Sequence, residues 1–269
     1  MKIHSFLNKR KYIIISILIL FSLLIIFSVM FSPSKNIYIN SNNVLKNNEN
    51  KILENNSTKN VMNYSEVYDK LTEIEKKQVK IGKRFTSDGG YKLLKLPKEL
   101  KNKLIIFWNS NESKKIKENV DPRYIYLDKK TNKNVSNILE LKTHNTELFN
   151  EINEYVKSKI IEWTNKKDIY HTITYGPREY ENDSILKEHV DQNSTHILSA
   201  IINIKRDSDW PLIIFTNDDK HEEKVIEMND DIDLVLYESA TVIHGRPLNF
   251  KGNSYVNLFV HFTCNDWNL

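Results

Sequence analysis

His189-Val190-Asp191 opens the stretch on which the rest of the chain turns. Next come several apolar runs separated by polar turns, then Tyr237-Glu238-Ser239-Ala240-Thr241-Val242-Ile243-His244-Gly245-Arg246-Pro247. The stretch closes on Ser254-Tyr255-Val256-Asn257-Leu258-Phe259-Val260-His261-Phe262. Two polar residues separated by one lie on the same face of an extended chain. His189 and Asp191 can therefore reach one ion, and a distant His244 completes a set of two imidazoles and one carboxylate. That set suits Fe(II) on one side and leaves other coordination positions open.

The segments between the motifs are short and strand-like. Ile197 to Ile204 is an almost unbroken apolar run, and Trp210 to Phe215, Lys224 to Met228, Ile232 to Tyr237, Thr241 to Ile243 and Ser254 to Phe262 follow. Turns such as Lys205-Arg206-Asp207-Ser208-Asp209 and Asn217-Asp218-Asp219-Lys220 separate them. Strands at this spacing with no helical period between them predict an antiparallel sandwich of jelly-roll type. Upstream, Tyr170 to Tyr175 reads as a strand that Gly176-Pro177 interrupts and Arg178-Glu179-Tyr180 resumes, with Arg178 and Tyr180 on one side.

Before this core the period changes. Leu148, Ile152, Val156, Ile160 and Trp163 recur at helical spacing between Asn145 and Lys166, with Asn145 or Thr146 available as a cap. A second, short amphipathic helix is predicted over residues 65–80, with Val67, Leu71, Ile74 and Val79 near one face. Lys103 to Trp108 and Tyr124 to Leu127 read as strands on either side of a turn at Asp121-Pro122. Nothing in residues 66–168 suggests chemistry; the segment reads as a support for the core.

The N-terminal part belongs to another class. Lys2, Lys9, Arg10 and Lys11 precede an uncharged apolar run over residues 12–31. Twenty residues at about 1.5 Å each match a hydrocarbon core of roughly 30 Å. The run ends in Val-Met-Phe rather than in small residues, so it reads as an uncleaved signal anchor and not as a cleaved peptide. With the positive charge ahead of it, residues 1–11 are expected in the cytosol and the remainder lumenal or external, the topology of a single-pass type II membrane protein. Residues 32–64, dominated by Asn, Lys and Ser, read as a stem. Residues 65–146 are assigned to an N-terminal supporting region and 147–269 to the principal domain.

The net charge of +4 and dispersed basic residues give no nucleic-acid footprint. The single cysteine, Cys264, excludes an internal disulfide and cysteine-based zinc modules. Glycosylation triplets begin at Asn56, Asn63, Asn111, Asn134, Asn182 and Asn193, and they agree with a lumenal glycoprotein. The two nearest the metal motif are the poorest candidates if that region is buried.

With His189-Val190-Asp191, His244 and their strand context in place, the chain resembles the Fe(II)/2-oxoglutarate-dependent dioxygenase superfamily, in its prolyl 4-hydroxylase-like branch. The resemblance covers about residues 147–263. It implies a mostly β double-stranded β-helix with flanking N-terminal helices, and His189, Asp191 and His244 as iron ligands. It also implies hydroxylation of a C–H bond while 2-oxoglutarate becomes succinate and carbon dioxide, with ascorbate as reductant. A peptidyl proline, or another protein or glycan group, is the implied substrate.

One position departs from that pattern. Such hydroxylases hold the far carboxylate of 2-oxoglutarate with Lys or Arg about ten residues beyond the second histidine, where this chain has Ser254. A buried carboxylate needs a cationic partner. Arg178, Lys251 and Arg246 are the candidates, with Tyr180 and Asn203 as neutral helpers, and Arg178 or Lys251 is preferred. Each has a plainer reading: Lys251 in a solvated hairpin turn, Arg178 on the surface, Tyr180 in the core, Asn203 bonded to a neighbouring strand. His171 and His261 are read as structural or surface residues. Two other functions compete: a non-catalytic cupin-like or lectin-like binding module, and a zinc hydrolase. The hydrolase needs a general base, for which Glu238 is the candidate.

Overall fold

The structure is a computed structural model that describes residues 62–118, 125 and 126, and 136–267. The cytosolic tail, the anchor over residues 12–31, the stem up to residue 61, the turn at Asp121-Pro122 and the triplets at Asn56 and Asn134 lie outside the described residues. Among the described residues no helix is long and apolar enough to cross a membrane. Residues 60–269 form one compact unit.

Among the described residues the first two helices are α1 (Tyr64–Lys70) and α2 (Glu73–Ile81). The single helix expected over residues 65–80 is broken at Leu71, whose backbone is extended, because Thr72 starts a new helix. Thr72 Oγ1 accepts from the Glu75 amide while Glu75 Oε2 accepts from the Thr72 amide at 2.7 Å, a reciprocal cap that ends one helix and begins the next. Val67, Leu71 and Val79 are buried as expected, but Ile74 stays exposed.

Strand β1 (Tyr91–Leu94) leads into α3 (Lys98–Ser110). Lys103 to Trp108, expected as a strand, is therefore helical. Leu100, Leu104, Phe107 and Trp108 are its buried residues, at a spacing of three and four. The apolar run at 104–108 conceals this period, which shows only when Leu100 is counted. Two-residue strands β2 (Ile116–Lys117) and β3 (Ile125–Tyr126) and the short β4 (Ser136–Ile138) come next, then α4 (Leu141–His144) and α5 (Thr146–Thr164). Helix α5 follows the predicted register. Asn145 Oδ1 accepts from the Leu148 amide at 3.0 Å, and Leu148, Ile152, Val156 and Ile160 are buried.

The last eight strands are β5 (Ile169–Tyr180), β6 (Ile185–His189), β7 (Leu198–Arg206), β8 (Leu212–Phe215), β9 (Glu223–Ile226), β10 (Leu234–Tyr237), β11 (Ile243–Arg246) and β12 (Tyr255–Cys264). They fall into two antiparallel sheets. One has the order β1-β10-β7-β12-β5-β4-β2 and the other β3-β6-β11-β8-β9. From β5 onward the chain passes back and forth between the sheets, which is the winding of a jelly roll.

Three packed cores hold the layers. Leu186, Leu212 and Ile214 of the smaller sheet meet Ile201, Val235, Tyr255 and Phe259 of the larger one between the sheets. Helices α3 and α5 cover the other face of the larger sheet, where Ile202, Leu236, Leu258 and Val260 meet Leu104, Ile152 and Val156. Helices α1 and α2 cover the smaller sheet through Val67, Leu71 and Val79 against Ile213, Phe215 and Ile243. A strand buried on both faces loses its alternation, so β7 reads as one apolar run. Residues 65–146 and 147–269 share these cores, and β1 pairs with β10.

Candidate metal centre

Two local irregularities set the centre. Gly245 lies under the backbone of β6: a Cβ there would stand 2.8 Å from Glu188 Cα and N. Only glycine lets β11 press this closely on β6. The pairing slips between His244 and Arg246, and His244 lies directly opposite His189. The second irregularity is in β5, which runs through Gly176 without stopping. Gly176 has φ +94°, and the register against β12 shifts so that Tyr175 faces Phe259 and Arg178 faces Asn257. Gly176 and Pro177 on β5 stand against the single residue Leu258 on β12, a bulge that carries Tyr175 and Arg178 to the same face.

His189, Asp191 and His244 each bring a ligand atom into one group, all within 4.8 Å of one another. His189 Nδ1 donates to Lys187 O at 2.7 Å and His244 Nδ1 donates to Val242 O at 2.9 Å. A carbonyl can only accept, so each Nδ1 carries the proton and each Nε2 presents its lone pair. The two Nε2 atoms lie 3.5 and 3.7 Å from Asp191 Oδ1. Asp191 Oδ2 faces the other way, accepting from Tyr237 Oη at 3.4 Å. One carboxylate oxygen thus turns to the imidazoles while its twin is held by the protein. This donor set fits a divalent ion of the Fe(II) type.

The protonation states of Asp191 and His244 agree with this, whereas Asp191 draws a proton onto His189 that an ion would have to displace. Burial pushes Asp191 up, but the hydrogen bond with His189 and the nearby His244 and His261 hold it far below the usual carboxylate range. Burial, with His189 beside it, lowers His244 to about 4. Burial also lowers His189, yet the hydrogen bond and charge of Asp191 outweigh it and leave that imidazole raised.

The triad opens into a pocket of ≈ 420 Å³ whose lining includes Tyr175, Arg178, Tyr180, Gln192, His196 and His261. Of the five residues expected near the cosubstrate, the structure brings Arg178 and Tyr180 to the pocket. Arg178 supplies the pocket's one Lys or Arg side chain among the described residues. The other three do not line it. Lys251 is exposed in its turn and pairs with Asp183 at 2.6 Å. Asn203 is buried on the sheet, where Nδ2 donates to Asn257 Oδ1 at 3.0 Å. Arg246 is fully buried two residues beyond His244, in register with Leu186; its guanidinium lies over the rings of Tyr255 and Trp210 and donates to Trp210 O. Ser254 donates to Glu179 at 2.6 Å.

Four contributors are absent from the candidates that the sequence offers. His261, expected as structural or surface, is buried in the pocket wall with Nδ1 2.7 Å from Ser199 Oγ. His196 packs against it at 3.8 Å between ring centroids. Burial lowers both, His261 to about 3. The alternation Tyr255, Asn257, Phe259, His261 on β12 was the available signal for His261. Glu118 grips Arg178 with two oxygens, at 2.6 Å from Nε and 2.6 Å from Nη2. Gln78 of α2 donates to Asp191 O at 2.8 Å and to Ala240 O at 3.1 Å. No local pattern marks either of these last two.

Glu238, the candidate general base, is engaged elsewhere. It accepts from the amides of Phe85 and Thr86 at 2.9 and 2.8 Å and from Asn217 Nδ2 at 3.1 Å. Asn182 is exposed, so burial does not bar a glycan there.

No protein-family model and no curated protein matches the sequence. Solved structures do resemble the fold. A prolyl-4-hydroxylase of Pseudomonas putida is 13% identical over 65% of this chain and 93% of its own, with a TM-score of 0.48. An oxidoreductase of the 2OG-Fe(II) oxygenase family from Burkholderia pseudomallei is 12% identical over 67% and 87%, with a TM-score of 0.47. A Trichoplax adhaerens prolyl hydroxylase, solved with a hypoxia inducible factor peptide fragment, is 11% identical over 65% and 84%, with a TM-score of 0.41. At these values the likenesses carry no functional weight, which rests on the site itself.

Proposed function

We propose that this protein is an Fe(II)/2-oxoglutarate-dependent dioxygenase that hydroxylates a C–H bond. The observation that carries the reading is the grouping of His189, Asp191 and His244 beside one pocket that also holds Arg178. Two imidazoles and one carboxylate occupy one side of an ion and leave positions for a 2-oxo acid. Fe(II) and 2-oxoglutarate supply an oxidation in which dioxygen gives one oxygen atom to the substrate C–H bond and one to succinate, with loss of carbon dioxide.

The chain's own residues do the rest. Lys187 O and Val242 O fix the tautomers of His189 and His244. Tyr237 Oη holds the second oxygen of Asp191. Burial keeps His244 neutral at physiological pH, ready to ligate. Arg178 and Tyr180 present a cation and a hydroxyl to the acid's far carboxylate. A zinc hydrolase is disfavoured because Glu238 is committed to the 85–86 backbone and Asp191 is the carboxylate among the pocket's described lining residues.

The substrate class we assign is a peptidyl residue, proline first, from the sequence resemblance. We assign the catalytic part to the lumenal or external side from the sequence reading of residues 12–31 as an anchor; protease protection of a C-terminally tagged chain in sealed membranes tests this. For the reaction, the chain is given Fe(II), ascorbate and 2-oxoglutarate in air, and succinate is followed. Succinate from the parent and none from His189→Ala or Asp191→Ala supports the reading, and proline peptides are then screened for a gain of one oxygen. Zinc retention without succinate returns the hydrolase, and absence of metal binding leaves a binding module.

A further inference from the structure

Arg178 has an occupant already. Glu118 takes its Nε and Nη2, and Nη1 points to Tyr180 Oη at 3.3 Å. Both charged side chains are largely buried, with 14% of Arg178 and 6% of Glu118 exposed. A guanidinium offers a carboxylate two parallel donors, and one carboxylate fills that face.

The charges in and beside the pocket make the consequence specific. Asp191, Glu118 and Arg178 with a divalent ion sum to plus one. A dianionic 2-oxo acid would bring the total to minus one among side chains that are themselves largely buried, where an uncompensated charge is costly. If Glu118 withdraws, the same complex is neutral.

Its place in the fold allows withdrawal. Glu118 follows β2, the outermost strand of its sheet, which is two residues long and exposed. Its side chain is held by Arg178, Tyr175 Oη and Ser136 Oγ.

We propose that Glu118 is an internal counter-carboxylate, which the far carboxylate of the incoming diacid displaces from the fork of Arg178. The proposal rests on the 2-oxo acid reading above and deepens it: Glu118 sets how strongly the pocket prefers a diacid over a monoacid. A monoacid such as pyruvate has no second carboxylate and leaves the pair intact.

The test uses the full chain loaded with Mn(II), read by equilibrium titration and by the ligand-induced shift in melting temperature, without turnover. Glu118→Gln is expected to bind 2-oxoglutarate about tenfold more tightly than the parent, with pyruvate affinity unchanged. Arg178→Gln is expected to lose the preference for 2-oxoglutarate over pyruvate. Tyr175→Phe removes one bond to Glu118 and keeps both charges, so it is expected to move in the same direction by less, and it serves if Glu118→Gln does not fold. Equal or weaker 2-oxoglutarate binding in Glu118→Gln, or in Tyr175→Phe where that variant stands in, with the parent binding normally, overturns this proposal alone and makes Glu118 a brace for Arg178. If neither acid binds the Mn(II)-loaded parent, the 2-oxo acid reading falls and takes the proposal with it.

Discussion

The side-chain amide of Gln78 donates to the main-chain oxygen of Asp191 across 2.8 Å, and its second bond, at 3.1 Å, goes to Ala240 O. The loop that carries one metal ligand is thus tied to the segment that leads into another, since Ala240 precedes His244 by four residues. The Asp191 amide also donates to Ser239 O at 2.8 Å. Gln78 is a positioning residue: it does not itself line the pocket and acts through Asp191, which does.

Gln78→Ala should weaken metal binding by roughly 10- to 100-fold, the usual effect of losing a group that orients a ligand. It leaves two buried carbonyls short of a donor, which costs about 1–3 kcal/mol of stability. Competition against a chromophoric chelator measures the first and denaturant unfolding the second. Loss of stability with metal affinity unchanged would reduce Gln78 to a packing residue.

Glu118 gives the fold an acid-side dependence of known sign. Burial raises its pKa, but the hydrogen bond and charge of Arg178 outweigh this and leave it below the ordinary glutamate value of 4.5. Its contribution to stability is therefore complete above that unfolded value and is lost as pH falls through the lower folded value. Melting temperatures of the parent should drop below about pH 4.5 more steeply than those of Glu118→Gln. Parallel curves would remove Glu118 from the acid response.

Lys251→Ala tests an anchor the structure rejects. Lys251 is 69% exposed on its side chain and pairs with Asp183 in solvent, and such pairs contribute little. The variant should match the parent in melting temperature and in 2-oxoglutarate dependence of succinate release. A large rise in the 2-oxoglutarate requirement would restore Lys251 as the anchor.

Residues 147–269 should not fold alone. Separating them removes β1 from the edge of β10, and it uncovers the apolar faces that Leu104, Phe107 and Trp108 protect on one side and Val67 and Val79 on the other. Residues 60–269 should give a cooperative melt by circular dichroism, and 147–269 a featureless one. A cooperative transition in the shorter fragment would make the preceding helices accessory.

The strands were readable because their signal is local. Apolar runs bounded by polar turns specify segments from Ile197 to Phe262, and helical spacing with an Asn145 cap specifies α5. Where one signal masked another, reading failed. The run at 104–108 hid the longer period of α3, and the capping pair Thr72 and Glu75 went unread, so α1 and α2 were merged.

By itself the sequence determined the metal set, because His189 and Asp191 are two apart on an extended chain and His244 lies in a strand of the same domain. It could not choose the cation. Arg178, Arg246 and Lys251 each offer a cation, and nothing in one dimension says which of them reaches the pocket. Only the tertiary structure separates them: the Gly176 bulge turns Arg178 inward, the slip beyond His244 sends Arg246 among aromatic rings, and the hairpin leaves Lys251 in water. Gln78 and Glu118 reach the site from 113 and 60 residues away. Contacts at such separations leave no periodicity or spacing for a reader of sequence, since they exist only once the sheets have closed.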